Sequence, residues 1–489
     1  MTGFRASVVK ASILYTHKFF LGLLISGSLV SILLGIIPAT WGFLLVASAI
    51  AIYVSLLEPM VAVGLAIIIG PLRALVSAIW PDVSVYPGQI LFALFVFSWF
   101  VQFTTSKTVL IRVPVTAKII TIYLCVGLLS LWGATNIFVG MTELIKWFQI
   151  LVVMVLVFNC CVNRDIEKWV IVFVVASGCL QALIGLWQFV LRGAGPGSFE
   201  LTSGVYRAYG TFEQPNPFGG FMGMVWPLAV GMLLHLLKNK MTRQKIFTYR
   251  ILVLLTSAAT ILIVCALIAS YSRGAWIGAT IAFLIMLFFL PVRRIIGAIM
   301  VIAFVAFGGV AINLGLVPDH LESRMNSIVE YASIPDVRRA SIDETNYSIV
   351  ERAAHWQAAR NMMQAHPWLG VGMGNYQVVY PQYRLARWEN PLGHAHNVYL
   401  NVAAETGFLG LGVYLILWGY VFLNTIELLR RSNNLNRGIT LGLLGVWTHL
   451  GVHNFVDNLF VNNIHLCLGG LLGVLCVVKA RVGSNNSFT

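Results

Sequence analysis

Apolar runs of roughly 17–22 residues recur along most of the chain, and each is long enough to cross a hydrocarbon core of about 30 Å. The pattern predicts an all-α polytopic integral membrane protein with about 12–14 transmembrane helices. The first three runs lie close together, so two helices and a re-entrant segment are the alternative there. We place the helices near residues 19–37, 40–58, 59–78 (broken at Gly70-Pro71), 88–105, 117–134, 144–162, 168–188, 217–237, 250–270, 274–290, 295–313, 407–424, 438–454 and 460–479.

Lysine and arginine are gathered in short segments between these runs, and the intervening loops are nearly free of lysine. Because cytoplasmic loops of membrane proteins carry the excess of basic residues, this alternation places both termini in the cytoplasm. The basic segments are 107–118, 164–168, 238–250, 293–294, 430–437 and 479–481.

Two loops on the predicted outer side, at about 190–216 and 314–396, are too long to be simple connections. Together with the apolar runs they divide the chain into four parts. These are N-terminal transmembrane helices over 1–190, transmembrane helices with short arginine-bearing outer loops over 191–313, a large outer loop over 314–396, and C-terminal transmembrane helices over 397–489.

The large outer loop contains a predicted helix from Tyr347 to Ala365. Ser348 and Glu351 have the spacing of a capping box at its start. His366-Pro367 ends the helix, and the glycine-rich segment 370–374 predicts a turn after it. The large loop is therefore expected to be partly helical.

The composition agrees with a membrane protein and excludes other classes. Of 489 residues, 58% are hydrophobic and 10% are charged, which is unlike any soluble domain. The formal charge of +14 lies in short loops, so it reflects membrane topology and indicates no nucleic-acid partner. The seven cysteines form no Cys-x-x-Cys pair, so neither a disulfide framework nor a zinc site is indicated.

Arginines at the predicted outer surface are the first candidates for chemistry. Arg273 lies in the short turn Ser272-Arg273-Gly274, Arg207 precedes a span, and Arg352 lies in the first turn of the loop helix. A guanidinium binds phosphate oxygens bidentately and stays charged. Several at the membrane surface, joined by Arg73, would suit a pyrophosphate whose lipid tail remains in the bilayer. The alternative is that each arginine anchors a helix end or pairs with a loop acid.

The segment His394-Ala395-His396-Asn397 closes the large loop. A histidine can accept a proton from a hydroxyl near neutral pH, which makes His396 a candidate general base. The two histidines could instead bind a metal, but no third ligand stands at diagnostic spacing, so we predict no metal. An interfacial histidine without a chemical role is the other alternative.

Polar residues after His396 recur every four positions. If this segment is helical, Asn397, Asn401 and Glu405 share one face. Glu405 could orient His396 or a substrate hydroxyl, or pair with an outer arginine. A second stripe with the same spacing consists of His449, His453 and Asp457. It is either part of the site or a set of polar residues that form hydrogen bonds between neighbouring helices.

Taken together, these motifs resemble the O-antigen ligase family of bacterial polytopic membrane glycosyltransferases, which also contains polysaccharide polymerases. The resemblance covers roughly residues 205–460 and lies in the order of the motifs around one large outer loop. The matching segments are Thr211-Phe212 through Asn216-Pro217, Ser272-Arg273-Gly274-Ala275-Trp276, Arg352 with Trp356, His366-Pro367-Trp368-Leu369-Gly370-Val371-Gly372, His396-Asn397-Val398-Tyr399-Leu400, Glu405-Thr406-Gly407, and His453 with Asp457.

The resemblance implies an enzyme of the bacterial inner membrane with a periplasmic active site. It would transfer a glycan from undecaprenyl-pyrophosphate to an acceptor hydroxyl, with inversion and without a cofactor or metal. The acceptor would be lipid A core in a ligase, another carrier-linked glycan in a polymerase, or a protein in a protein-glycosylating member. Carried over to this chain, the catalytic residues are Arg207, Arg273 and His396, and the substrate-binding residues are Arg352, Asn216, Asn397, Glu405, His453 and Asp457.

A transporter, for example of inorganic carbon, is the rival interpretation. A transporter should place polar residues near the bilayer midplane, on broken helices in two related halves. This chain has almost no charge at mid-span depth, no related halves, and polar residues concentrated at one face. The sequence therefore favours the enzyme.

Overall fold

The computed structural model describes residues 39–82, 86–105, 111–238, 246–315, 337, 346–431 and 434–485. Within these ranges the chain is almost wholly helical, and ten helices are long and apolar enough to cross a membrane. The prediction of an all-α polytopic membrane protein is therefore confirmed. The span predicted near 19–37 lies outside the described residues.

The helices follow one another with short connections. The first group is α1 (Ala39–Leu57), α2 (Pro59–Ile69), α3 (Arg73–Ile79), α4 (Pro87–Thr105), α5 (Val115–Ser130), α6 (Ile137–Cys161) and α7 (Lys168–Val190). The second group is α8 (Pro215–Lys238), α9 (Ile246–Ala269), α10 (Arg273–Phe289), α11 (Arg294–Asn313), α12 (Tyr347–Ala365), α13 (Tyr376–Tyr383), α14 (Val398–Arg431), α15 (Asn434–His453) and α16 (Ile464–Asn485).

Short irregular elements interrupt this series. A 3₁₀ turn over Gly70–Leu72 joins α2 to α3, which confirms the break predicted at Gly70-Pro71. A small antiparallel hairpin, β1 (Glu200–Thr202) with β2 (Val205–Tyr206), lies between α7 and α8. The hairpin was not predicted, and it ends directly before Arg207.

Helix α15 occupies the interior of the bundle, where it packs against α8 and α10. It is not among the ten helices that are long and apolar enough to cross a membrane, although we predicted a span near 438–454. Its interior position explains this, since a helix that faces other helices can carry paired polar groups that would be costly against lipid. In contrast, only 6% of the most apolar stretch of α11 is buried within the protein. This helix therefore lies at the periphery of the bundle.

The loop helix α12 spans Tyr347–Ala365, as predicted, but its predicted capping box is wrong. The residue before the helix is Asn346, and it makes no side-chain capping bond. Ser348 lies one residue inside the helix, and its hydroxyl oxygen accepts a hydrogen bond from Arg273 at 2.9 Å. Spacing alone could not reveal this competing partner, which comes from α10.

The segment after α12 is fixed to a kink in α14. Gly407 interrupts α14 with φ 66° and ψ −167°, a conformation that favours glycine. At this kink the backbone N–H of Phe408 donates to the carbonyl of Pro367 at 2.8 Å, and that of Val371 donates to Ala404 at 2.9 Å. The segment directly after α12 is therefore joined to the membrane helix α14 by backbone hydrogen bonds.

Basic loops that were predicted to share one side of the membrane contact their neighbours at one end of the bundle. Arg481 bonds the carboxylate of Glu167 at 2.8 Å, and Arg164 pairs with Glu58. Arg437 donates to the carbonyl of Phe289 in the turn between α10 and α11 at 2.8 Å. These contacts connect neighbouring loops, and the side of the membrane on which the loops lie stays a prediction.

Candidate functional site

A cavity of about 140 Å³ lies where the start of α10, the loop helix α12 and the end of α15 meet. We call it the arginine cavity. It brings together six of the nine predicted site residues, which come from distant parts of the sequence. These are Arg207, Asn216, Arg273, Arg352, His453 and Asp457.

Arg207 is held by the backbone of a neighbouring turn. Its Nε donates to the carbonyl of Ser270 at 2.9 Å, and its Nη2 donates to Asn216 Oδ1 at 3.0 Å and to the carbonyl of Tyr271 at 3.3 Å. Asn216 is the second residue of α8, so one guanidinium connects that helix to the α9–α10 turn. The Arg207 side chain is thus fixed in orientation at the cavity wall.

Arg273 is the first residue of α10, and a strained turn places it there. Tyr271, just before it, has φ 49°, which is uncommon for a residue other than glycine. The Nη2 of Arg273 donates to the hydroxyl of Ser348 on α12 at 2.9 Å. Ser272 and Gly274, which flank Arg273 at the start of α10, also line the cavity, and helix N-termini favour anions.

Arg352 approaches from the opposite side, one turn along α12 from Ser348. Its Nη1 lies 3.5 Å from the carbonyl oxygen of Ser348, at the limit of a hydrogen bond. Among the residues that the structure describes, the cavity lining thus includes three guanidinium groups and one carboxylate, that of Asp457. This excess of positive charge makes the cavity suited to an anion.

His396 lies beside the cavity and contacts Asp457. Its Nδ1 is 3.3 Å from the Asp457 carboxylate, and the two side chains are 19% and 5% exposed. Two bonds position this segment: Val398 N–H donates to the carbonyl of Asn454 at 2.8 Å, and Trp356 Nε1 reaches the His396 carbonyl at 3.4 Å. His396 itself has φ 49°, a second strained residue at the site.

Asp457 remains ionised beside His396. Burial opposes the charge on its carboxylate, but the hydrogen bond and positive charge of His396, with Arg352 nearby, hold the pKa of Asp457 well below its usual value. A permanent carboxylate on Nδ1 fixes the imidazole ring and leaves Nε2 to accept a proton. It also stabilises the imidazolium that results.

His394 completes a group of three potential metal ligands with His396 and Asp457. One ligand atom from each lies within 4.8 Å of the others, so these residues could hold a metal ion. The sequence shows no third ligand at diagnostic spacing, and the third residue of this group, Asp457, comes from a distant part of the sequence. The Nδ1 of His394 already accepts the backbone N–H of His396 at 3.0 Å. Burial and the positive charge of His396 lower the pKa of His394 to about 3.

The structure places three other predicted residues away from the arginine cavity. Asn397 caps α14 by accepting the N–H of Leu400 at 3.0 Å. Glu405 accepts the N–H of Tyr376 at 3.2 Å, so it holds the segment after α12 and does not contact His396. The guanidinium of Arg73 lies 4.6 Å from the centre of the Tyr86 ring.

Six further residues line the cavity but were not among the predicted site residues. Four of them adjoin Arg273 in sequence or on α10, so their proximity could have been inferred from that arginine. Ser348 precedes Arg352 by one helical turn, so the two residues share a face of α12. We interpreted Ser348 as a capping residue and therefore did not place it in the site. The six are Tyr271, Ser272, Gly274, Ile277, Ser348 and Val456.

Residues 258–415 match the family model described as O-Antigen ligase. The match confirms the family predicted from the motifs, that of O-antigen ligases and polysaccharide polymerases. It includes Arg273, Arg352 and His396, whereas Arg207 and Asp457 lie outside it. Among curated proteins no match is found. The family supports a membrane-embedded glycan ligase or polymerase in general.

Proposed function

We propose that the protein transfers a glycan from undecaprenyl-pyrophosphate to an acceptor hydroxyl, with inversion at the anomeric carbon. One observation carries the proposal: among the residues that the structure describes, three arginines line the cavity together with the carboxylate of Asp457, and this carboxylate contacts His396. This juxtaposition provides a site for an anionic leaving group next to a base.

The donor's pyrophosphate would occupy the arginine cavity. Guanidinium groups bind phosphate oxygens with directional, charge-assisted hydrogen bonds. Arg207 and Arg273 are oriented by hydrogen bonds to Asn216 and Ser348, which reduces the cost of ordering their side chains when a ligand binds. The cavity lies at the ends of apolar helices, so the undecaprenyl chain can remain in the bilayer while its pyrophosphate is bound.

The acceptor hydroxyl would approach His396. As the acceptor oxygen forms its bond to the anomeric carbon, the bond from that carbon to pyrophosphate breaks, and the proton passes to His396. Negative charge then develops on the departing pyrophosphate, where fixed cations stabilise the transition state. Asp457 positions His396 and stabilises its charged form. Displacement from the face opposite the leaving group inverts the anomeric carbon.

The same chemistry serves a ligase or a polymerase. The acceptor is lipid A core in the first case and another carrier-linked glycan in the second. We also propose that the protein lies in the bacterial inner membrane, with both termini in the cytoplasm and the arginine cavity facing the periplasm. The division at about residues 190, 313 and 396 is part of that proposal.

A donor-binding experiment tests the proposal. Purified protein in detergent is titrated with undecaprenyl-pyrophosphate-linked oligosaccharide, and with an undecaprenol-linked oligosaccharide that lacks both phosphates. We expect saturable binding of the first ligand and much weaker binding of the second, because the guanidinium groups recognise the phosphates. Equal affinity for the two ligands, or no binding of either, contradicts the proposed donor site and favours the transporter interpretation.

We expect chelation to leave glycan transfer unchanged. The His396–Asp457 contact needs no metal, and the guanidinium of Arg352 nearby disfavours a divalent cation. The measurement is the transfer rate before and after dialysis against EDTA, with the His394→Ala variant in parallel. Loss of activity that zinc, manganese or magnesium restores in the wild type would show that the three-residue group works as a metal site.

A further inference from the structure

A second, smaller pocket lies next to the arginine cavity, at the segment where Asp457 is followed by Asn458. Asp457 lines the arginine cavity, whereas Asn458 lines the second pocket. Val398, two residues after His396, also lines the second pocket. Its volume of about 30 Å³ suits one small polar group. We call it the glutamate pocket, after Glu143 in its lining.

The glutamate pocket has a wall of packed aromatic rings. Trp147 of α6 stacks on Phe460, with ring centroids 5.3 Å apart, and packs edge-on against Tyr123 of α5 at 4.5 Å. All three side chains are buried. Asn401 also lines the pocket, and its Oδ1 accepts the backbone N–H of Ala395 at 3.0 Å. An apolar wall with a few fixed polar groups is typical of sites for small polar molecules.

Two polar groups of the lining have hydrogen-bonding capacity to offer a ligand. The Oε2 of Glu143 pairs with Lys146 Nζ at 2.5 Å, and the Glu143 side chain is 24% exposed, so its second oxygen can accept a further bond. The Oδ1 of Asn458 accepts the backbone N–H of Phe460 at 2.8 Å, which leaves the amide N–H groups as donors. A hydroxyl group both donates and accepts, so it complements this pair of groups.

The position of Glu143 in the fold also points to a ligand. Glu143 lies in the second turn of α6, which is long and apolar enough to span a membrane. Ionisable side chains within spans are costly, and those that occur usually mark a functional site. Its pairing with Lys146 does not account for Glu143, because a partly exposed ion pair contributes little to stability.

We propose that the glutamate pocket binds a hydroxyl or hydroxymethyl group of the sugar that reacts at His396. Glu143 accepts a hydrogen bond from this group, and Asn458 donates one to it. The inference rests on the proposed function and deepens it by naming a recognition site for the sugar. Inversion brings the acceptor in opposite the pyrophosphate, so a pocket outside the arginine cavity favours the acceptor sugar. The first sugar of the donor offers the same hydroxyl chemistry.

Substitutions of Glu143 and Lys146 separate a role in sugar binding from an ion pair. Glu143→Leu should raise the KM for the acceptor by about 10-fold or more, the range for a hydrogen bond to a charged group. Glu143→Gln keeps one oxygen and should recover part of the loss. The kcat and the affinity for undecaprenyl-pyrophosphate without glycan should change little. The matched control, Lys146→Gln, breaks the ion pair but keeps the carboxylate, and its KM should stay close to that of the wild type.

Carbodiimide labelling of the wild type provides a measurement that does not depend on a variant's folding. Carboxylates are coupled to glycine ethyl ester and quantified by mass spectrometry, with lipid A core or carrier-linked oligosaccharide present or absent. Glu143 should be protected by the glycan that the wild type uses. Glu58 is the control, since its side chain is 31% exposed and it is paired with Arg164 at 2.5 Å, as Glu143 is with Lys146. Its labelling should not change.

The outcomes distinguish the source of the sugar and the failure of each proposal. A raised acceptor KM with unchanged donor affinity supports binding of the acceptor sugar. Weaker binding of the glycan-linked donor, with unchanged affinity for undecaprenyl-pyrophosphate, supports binding of the donor sugar. Wild-type KM and donor affinity in Glu143→Leu, or an equal loss in Lys146→Gln, would overturn the inference and leave the proposed function standing. A wild type that neither binds the donor nor transfers glycan would overturn both.

Discussion

Replacing His396 with alanine is expected to reduce glycan transfer by about 10²–10⁴-fold, the usual contribution of a general base. The reason lies in the position of His396: one nitrogen is held by Asp457 at 3.3 Å, and the side chain remains 19% exposed beside the cavity. Donor affinity should change little, because the guanidinium groups that bind the pyrophosphate stay in place. The measurement is single-turnover transfer at saturating donor, together with donor titration.

His366→Ala is the matched control for this variant. His366 belongs to the same loop, follows α12 directly and is exposed, and it does not line the arginine cavity. The His366→Ala variant should transfer glycan at the wild-type rate. Loss of folded protein in the His396 variant, seen as a lower unfolding temperature and equal loss of donor binding, would instead indicate a structural role for His396.

Replacing Arg273 with alanine is expected to weaken donor binding by about 10- to 150-fold, which corresponds to the loss of a hydrogen bond to a charged group. Arg273 begins α10 and is held toward the cavity by Ser348, so its loss removes both charge and a preformed donor. Arg273→Lys should restore only part of the affinity, since lysine keeps the charge without the planar fork. Isothermal titration with the pyrophosphate-linked donor measures both variants.

The control for charge alone is Arg360→Ala. Arg360 lies on α12, two turns beyond Arg352, and is exposed away from the cavity. If its replacement weakens donor binding as much as Arg273→Ala does, the effect comes from general surface charge. Full recovery of affinity by Arg273→Lys would likewise contradict bidentate recognition.

The sequence predicted what depends on local pattern. Apolar length gave the spans, and Pro367 with the glycines after it gave the end of α12 at Ala365. Arg207, Arg273 and Arg352 could be grouped because each stood at the same predicted face of the membrane. The structure brings all three to one cavity, which agrees with that grouping.

What could not be predicted depends on contacts between distant segments. Asp457 is 61 residues from His396, and two membrane helices separate them, so no periodicity links the pair. Glu405 was the nearer carboxylate in sequence, but its helix turns it toward Tyr376. Spacing also suggested that Ser348 caps α12, although Arg273 uses its hydroxyl. In each case the partner lies on another element, and only the fold could supply it.

The central claim is that a binding site for an anionic donor lies next to a histidine base. The most direct test incubates the purified protein with undecaprenyl-pyrophosphate-linked oligosaccharide and follows both products, the transferred glycan and the released carrier. Glycan chain length and free undecaprenyl-pyrophosphate are measured, with carrier-linked glycan alone and then with lipid A core added as acceptor. Our account predicts that the wild type releases undecaprenyl-pyrophosphate in step with glycan transferred to one of these acceptors. It predicts that His396→Ala binds the same donor and releases none. Equal release by His396→Ala, or no donor binding by the wild type, would contradict it.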